Sequence, residues 1–298
     1  MGWSFTAPGT LAKLRLGDAG LLKLSNPLSE DHSAMRPLLL PGLLEAARRN
    51  AAHGAAEVAL FESAHVYAAD GDLDAPEGSP EGATPATERH HVAGLLTESS
   101  PATWRSDAGA ADFYAAKGFV EALLGVAGLG LVVEPARDLP FLHPGRAGRA
   151  FVADGSGMVE VGWIGELHPL VAREWDVDGG AAFELDVDLV AELTDGVLGT
   201  YEDVTSFPAV LQDLAVVTPS EVSAATVEAT VAAAGGELLA STGVFDVYDG
   251  EQVGEGKRSL ALRLEFRAAD RTLTEDEVVE RRKAIEAALA EIGGQIRG

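Results

Sequence analysis

The stretch from residue 25 to residue 50 most constrains what this chain can fold into, because it combines three prolines with an apolar helical repeat. Pro27 holds Asn26 in an extended or polyproline conformation. Pro41 is well suited to the first turn of a helix. Apolar side chains then recur at helical spacing, at Leu40, Leu43, Leu44, Ala47 and Ala51. The sequence therefore predicts an extended segment followed by an amphipathic helix with one apolar stripe.

The absence of cysteine and the strong acidity limit the kinds of site that the chain can carry. Without cysteine among its 298 residues, disulfides, thiol catalysis and thiolate metal sites are excluded. A net charge of −25 argues against a polyanion-binding surface over the whole molecule, although it leaves room for a local basic patch. The sequence has no apolar run of about 18 residues, so we expect a soluble, cytoplasmic protein.

Residues 1–195 show strand and helix patterns that are typical of an α+β domain built on an antiparallel sheet. Apolar runs predict strands at 3–5, 21–24, 57–67, 91–96 and 181–188. Asp112 begins a predicted helix that carries Phe119, Leu123 and Leu124 on one face. Residues 70–89 are rich in acids, prolines and glycines, and this composition predicts a surface loop.

Residues 201–298 have the element order βαββαβ, which is the order of the ferredoxin-like fold. The predicted strands are 214–217, 238–248, 257–266 and 295–297, and the predicted helices are 223–234 and 274–291. Gly235 and Gly236 end the first helix, and Thr274 with Glu277 forms a capping box at the start of the second. Glycines near residues 196–200 predict a linker between the two domains.

Three clusters of residues, in order along the chain, carry a resemblance to one known family. The first comprises Asn26-Pro27-Leu28-Ser29-Glu30, His32-Ser33, Met35-Arg36 and residues 39–44. The second comprises residues 141–146 and 161–169. The third comprises Phe207-Pro208-Ala209, Asp213-Leu214-Ala215 and residues 245–248 and 256–260. On these residues the chain resembles the beta chain of bacterial phenylalanyl-tRNA synthetase.

The resemblance implies a fold and a role. It implies a class II synthetase-like, catalytic-like domain over residues 1–195, a linker over 196–200 and a ferredoxin-fold anticodon-binding domain over 201–298. The expected role is that of a non-catalytic C-terminal portion of the beta chain. It would scaffold the catalytic alpha chain in a heterotetramer and contact tRNA(Phe). ATP and magnesium are expected in the complex but outside this chain.

The apolar stripe of the first helix is the predicted subunit interface. In the family this segment lies at the contact with the alpha chain, so the resemblance assigns the interface to Leu40, Leu43, Leu44 and Ala47. Without an alpha chain to cover the stripe, self-association is expected. Periodicity alone favours an ordinary helix packed on its own core.

The sequence predicts neither a catalytic nor a metal site. A class II site needs arginines to hold ATP phosphates, yet Leu60 precedes Phe61-Glu62, the strand contains no arginine, and residues 174–256 contain no lysine or arginine. His90, His91, His143 and His168 lack metal-ligand spacing, and His143 and His168 are interpreted as loop residues packed at strand ends.

The predicted tRNA contact rests on the basic residues of the second domain. Its nine cations all follow residue 256 and accompany eighteen acids, which gives the domain a net charge of −9. The densest groups are Lys257-Arg258 and Arg281-Arg282-Lys283, and we expect them to form one patch. Phe207 and Tyr248 are the predicted stacking partners for unpaired bases. The same cations are equally compatible with a solvated surface that pairs with acids.

Two other functions remain open at this point. The chain is also compatible with a free-standing, synthetase-like paralogue that binds small molecules in the former catalytic pocket. It is equally compatible with a protein-interaction module without an RNA role, which the acidity favours.

Overall fold

The computed structural model describes residues 3–55, 57–69, 86–97, 104, 105, 107, 109–154, 157–194 and 207–297. The chain divides into two compact units, residues 1–199 and 200–298. The predicted linker, 196–200, lies outside the described residues, so its position stays a prediction.

In the residues that the structure describes, the first unit combines eight strands with five α-helices. Its strands are β1 (Phe5–Thr6), β2 (Ala34–Met35), β3 (Ala59–Ala69), β4 (Ala86–Leu96), β5 (Val132–Pro135), β6 (Leu142–Ala153), β7 (Met158–Leu167) and β8 (Ala181–Asp186). Its helices are α1 (Pro8–Lys13), α2 (Leu40–Ala52), α3 (Phe113–Val126), α4 (Pro169–Glu174) and α5 (Val187–Thr194). Six strands form one antiparallel sheet in the order β3-β4-β8-β7-β6-β5, and β1 pairs with β2 separately. The predicted α+β class with an antiparallel sheet is confirmed.

Helices cover both faces of the six-stranded sheet. Neighbouring residues of a strand point to opposite sides and therefore contribute to different cores. Leu95 of β4 belongs to the core that contains α2, whereas Leu96 belongs to the core that contains α3. On the α3 side, the ring of Phe183 fills the space that a side chain at Gly94 would occupy. Each face of the sheet thus has its own apolar core.

The apolar stripe of α2 is buried inside this unit, so its assignment as an exposed subunit interface is wrong. Leu40, Leu43, Leu44 and Ala47 are at most 3% exposed and pack in the core between α2 and the sheet. The exposed side of α2 is polar and carries Arg48, Arg49 and Asn50. The periodicity located the buried face correctly, but it could not say that the chain's own sheet covers it.

Three local predictions in the first unit differ from the structure. Residues 21–24 form no strand beyond one isolated bridge from Lys23 to Ala34, and the connection before them contains the short helix α1, which begins at a proline. The predicted loop 70–89 ends at residue 85 at the latest, because β4 extends the sheet back to Ala86; residues 70–85 lie outside the described residues. On α3, Leu124 is buried but Phe119 and Leu123 remain exposed.

The second unit has the predicted βαββαβ order. Its elements are β9 (Val210–Pro219), α6 (Ala224–Gly235), β10 (Leu239–Tyr248), β11 (Lys257–Phe266), α7 (Glu275–Glu291) and β12 (Gln295–Arg297), with short 3-10 turns after α6 and β10. The four strands form an antiparallel sheet in the order β10-β11-β9-β12. Side chains of β9, β11, α6 and α7 build one core.

Within the described part of the whole chain, no helix is long and apolar enough to cross a bilayer.

The predicted capping box at the start of α7 is present. The Thr274 hydroxyl accepts a hydrogen bond from the Glu277 amide, and the Glu277 carboxylate accepts one from the Thr274 amide at 2.9 Å. This amide, with help from Arg271 and the Thr274 hydroxyl, lowers the pKa of Glu277 to about 2.

The lowered pKa of Glu277 predicts a pH dependence of stability. Since its folded-state pKa lies below the ordinary glutamate value of 4.5, the ionised carboxylate stabilises the fold fully above about pH 5, and this stabilisation is lost as the pH falls toward about 2. Thermal unfolding of Glu277→Gln and the wild type should therefore give melting temperatures that differ near neutral pH and converge in acid. Glu280→Gln removes an exposed carboxylate of the same helix outside the cap, and should not show this convergence.

Candidate nucleic-acid interface

The sheet of the second unit has one face covered by helices and one face without a helix. On β11, Leu260, Leu262, Leu264 and Phe266 are fully buried against the helices. The residues between them point the other way and are paired across the sheet with alternate residues of β9 and β10. We call this second surface the open face; its principal side chains are Leu211, Asp213, Phe245, Tyr248 and Arg263.

Arg263 is the best-ordered cation of the open face. Its guanidinium lies 5.0 Å from the centre of the Phe245 ring and donates two hydrogen bonds to the Asp213 carboxylate, at 3.0 and 3.1 Å. These bonds lower the pKa of Asp213 and raise that of Arg263, so both groups stay charged over the physiological range. Contacts on two sides hold the guanidinium plane in one orientation.

The rest of the open face is shallow and mostly apolar, but it also carries two acids, Asp246 opposite Ala261 and Glu265 opposite Leu211. Phe245 is 54% exposed and Leu211 is 62% exposed. Tyr248 pairs across the sheet with Ser259, on the same side as Arg263. Between these positions lie Ala215 and Ala261, which pair across the sheet and whose small side chains make the surface shallow.

This arrangement suits the recognition of unpaired bases. Exposed aromatic rings on a four-stranded sheet provide stacking surfaces for bases, and a guanidinium beside them contacts phosphate or a base edge. Sequence reasoning missed Phe245 and Arg263. The alternation of Arg263 with buried Leu262 and Leu264 was the available signal that it faces away from the core.

The structure does not bring the two predicted cation groups into one patch. Arg258 pairs across the sheet with Thr218 and donates to the Val222 carbonyl, whereas Arg282 bonds the side chain of Gln212. Positions 212 and 218 lie six residues apart on β9, or about 20 Å. The two groups of cations therefore cannot form one binding surface for RNA.

The remaining predicted tRNA-contacting residues are scattered. Lys257 begins β11 and is exposed, and Phe207 is half-buried before β9. Arg281 and Lys283 lie on α7, on the covered side of the sheet. Of the predicted set, Tyr248 and Lys257 lie on the open face, since Lys257 follows the same alternation along β11 as Ser259 and Arg263; a role in tRNA contact stays a prediction for all of them.

In the first unit, the strand carboxylate Glu62 is neutralised by an arginine from outside its strand. Arg36 bonds Glu62 at 2.7 Å, and the two side chains are only 7% and 16% exposed. Arg36 also donates through Nε to the carbonyl of His65 at 2.9 Å. No sequence pattern indicates this pair, because 26 residues separate the partners.

A second buried carboxylate, Glu184 of β8, fixes the start of α2. It is 2% exposed, and it accepts hydrogen bonds from the Leu39 amide at 3.0 Å and from His91 at 2.8 Å. A carboxylate at a helix N-terminus is favoured by the helix dipole. These two carboxylates therefore have structural partners where a catalytic domain would need free groups.

The candidate histidines are held by backbone amides. The Nδ1 atom of His143 accepts a hydrogen bond from the Gly145 amide, and that of His168 accepts one from the Leu170 amide, both at 3.1 Å. Burial, Arg15 and His143 lower the pKa of His168. In the residues that the structure describes, no group of three or more His, Asp or Glu side chains is arranged to hold a metal ion.

Exposed aromatic side chains of the first unit collect beside β3. Trp3 is 71% and Phe61 is 78% exposed, and the rings of Trp3 and Phe5 both contact His32. A groove of about 1130 Å³ runs between these residues, the exposed side of α2 and the outer edge of β3. We call it the β3 groove.

Two family models match the chain. The phenylalanyl tRNA synthetase beta chain CLM domain matches residues 1–187, and the ferredoxin-fold anticodon binding domain matches residues 205–297. The curated phenylalanine–tRNA ligase beta subunit of Moorella thermoacetica is 40% identical over 302 residues, which cover 99% of this chain and 36% of the relative. That of Geobacillus kaustophilus is 36% identical over 301 residues, which cover 99% and 35%. This chain thus spans about a third of the length of these relatives.

Among solved structures, the pyrrolysyl-tRNA synthetase of Desulfitobacterium hafniense matches with a TM-score of 0.44 and 14% identity. The match covers 66% of this chain and 62% of the other.

Proposed function

Because this chain belongs to the phenylalanyl-tRNA synthetase beta chain family, we propose that it is the beta-chain part of a phenylalanine–tRNA ligase of the cytoplasm. In that assembly it scaffolds a catalytic alpha chain and contacts tRNA(Phe), while the alpha chain binds ATP and magnesium. The single observation that carries the proposal is the combination of two matches in one chain. A beta chain CLM domain precedes an anticodon binding domain, and the latter coincides with the unit that has the open face.

A scaffolding role, without catalysis, is supported by the groups around the former catalytic strand. ATP phosphates require free cations, but Arg36 is engaged by Glu62. The chain from residue 174 to residue 256 contains no lysine or arginine. Transfer chemistry is therefore assigned to the alpha chain.

A contact with the alpha chain is supported by the aromatic surface beside β3. Scattered exposed apolar residues are normal, whereas a contiguous group points to a binding surface. Trp3 and Phe5, whose rings both contact His32, form such a group on the wall of the β3 groove, which Phe61 also lines. We propose this surface, in place of the buried stripe of α2, as the subunit contact. Without the alpha chain, the exposed rings of Trp3 and Phe5 would drive self-association.

The test is co-expression with an alpha chain. We expect the two chains to co-purify, and we expect phenylalanine-dependent exchange of pyrophosphate with ATP and charging of tRNA(Phe) to require the alpha chain. The chain alone should show neither activity. Exchange by the chain alone that survives repurification, or failure to co-purify, would contradict the proposal.

A further inference from the structure

The outer strands of the two large sheets differ in how their free edges are protected. β5 has four residues and ends in Pro135, and β12 has three residues. On β10, a bulge follows Val244, whose amide is taken by the Glu228 carboxylate at 2.8 Å. Short length, proline and bulges are the usual protections against the pairing of a further strand. β3 is eleven residues long, and its stretch from Ala59 to Ser63 contains neither a proline nor a bulge.

Backbone hydrogen bonds show which groups of β3 point outward. Arg36 bonds the carbonyl of His65 and the amide of Tyr67, both at 2.9 Å, on the side away from β4. Because amide and carbonyl directions alternate along a strand, those of Phe61 and Ser63 point the same way. No residue that the structure describes bonds these outward groups of Phe61 and Ser63. The outer edge of β3 is therefore bonded to Arg36 at His65 and Tyr67 and is unpaired at Phe61 and Ser63.

The surroundings of this stretch suit an extended peptide. Phe61 is exposed, and the outward edge opens into the β3 groove next to Trp3. On the far wall of the groove, Arg48 and Arg49 share Glu45 as their ion-pair partner. The charged residues that line the groove are four cations and three acids, which gives a net charge of +1: Lys13, Arg36, Arg48 and Arg49, with Asp31, Glu45 and Glu62. In a chain with net charge −25, this locally positive groove favours an occupant that carries carboxylates.

We propose that the outer edge of β3 from Ala59 to Ser63 binds an extended, acidic and apolar segment of the alpha chain as an added strand. Main-chain hydrogen bonds from Phe61 and Ser63 supply the pairing, and alternate side chains of the segment lie against Phe61 and Trp3. The inference rests on the proposed function, since the edge continues the proposed subunit contact. A second copy of this chain fits less well, because the two molecules carry the same large negative charge.

Amide hydrogen exchange of the chain, alone and in the complex, tests the added strand. The amides of Phe61 and Ser63 should exchange freely in the chain alone and at least about 100-fold more slowly in the complex. The inward amide of Glu62 should be protected in both. Free exchange of Phe61 and Ser63 within an assembled, tRNA-charging complex would overturn the strand while leaving the proposed function intact. If these two amides become protected in the chain alone as its concentration rises, the edge binds a second copy of the chain, and the proposed alpha-chain strand is overturned as well.

Proline at position 63 provides a matched variant. Proline is tolerated in an edge strand where its nitrogen faces outward, so Ser63→Pro should leave the melting temperature of the chain within a few degrees, whereas it removes one pairing donor. Ser63→Ala removes the hydroxyl that bonds His90 and keeps the amide. We expect Ser63→Pro to weaken alpha-chain binding at least about tenfold and Ser63→Ala to change it by less than about threefold. Equal affinity of the two variants would overturn the proposal. If no alpha chain binds even the wild type, the proposed function itself fails.

Discussion

Arg36→Met should lower the melting temperature of the first unit by roughly 6–20 °C. Removing one partner of a buried ion pair leaves the other charge uncompensated and costs about 3–5 kcal/mol. For a unit of this size, each kcal/mol corresponds to about 2–4 °C. The group left without a partner is Glu62, which is 16% exposed and forms no ion pair with any other cation in the described part of the chain. The carbonyl of His65 loses its Nε donor at the same time.

Differential scanning calorimetry with two further variants separates the buried charge from other effects. The double variant Arg36→Met with Glu62→Gln removes both charges and should recover a large part of the loss. Arg48→Met breaks a comparable bridge to Glu45 at 2.8 Å, but on the exposed side of α2. It should cost at most about 1 kcal/mol. A shift for Arg36→Met no larger than that for Arg48→Met would show that the buried pair is not a significant anchor.

The second unit was predictable almost element by element, because its signals are local. Gly235 and Gly236 end α6, Thr274 and Glu277 begin α7, and an alternating pattern spans the whole of β11. Each signal depends on residues a few positions apart. The ferredoxin-like order follows from the elements themselves.

The first unit was less predictable where the outcome depends on distant residues. The apolar stripe of α2 gave the helix and its buried face, but whether the sheet or a partner covers Leu43 depends on tertiary packing. The pairing of Arg36 with Glu62 and the capping of Leu39 by Glu184 join segments that are far apart in sequence. No periodicity encodes such contacts.

The predicted tRNA contact rests on the density of lysine and arginine along the chain, which selects Arg281, Arg282 and Lys283, and a role for these residues stays a prediction. Density along the chain does not show which cations share a surface. Arg263 stands alone in sequence, yet the structure places it on the open face beside Phe245. A cation that a carboxylate and a ring already orient loses little conformational freedom on binding.

In the assembled ligase, Phe245→Ala and Arg263→Gln should each raise the KM for tRNA(Phe) by about 5- to 100-fold. The loss of one base-stacking surface costs about 1–3 kcal/mol, and the loss of the guanidinium removes one charge-assisted contact. Exchange of pyrophosphate with ATP should be unchanged, because activation of phenylalanine takes place on the alpha chain without tRNA. Charging kinetics over a range of tRNA concentrations, beside exchange assays on the same preparations, measure both effects.

Lys283→Glu is the control that decides which surface of the second unit meets the tRNA. Lys283 is exposed on α7, on the covered side of the sheet, and a change there reverses a charge without touching the open face. If the open face is the binding surface, this variant should alter the KM for tRNA by less than about threefold, since a distant exposed charge is screened by salt. If Lys283→Glu raises the KM and Arg263→Gln does not, the contact lies on α7. In that case the aromatic rings of the open face do not stack on the bases of the tRNA. Unfolding curves of all three variants must coincide with that of the wild type, so that the KM reports binding and not loss of the fold.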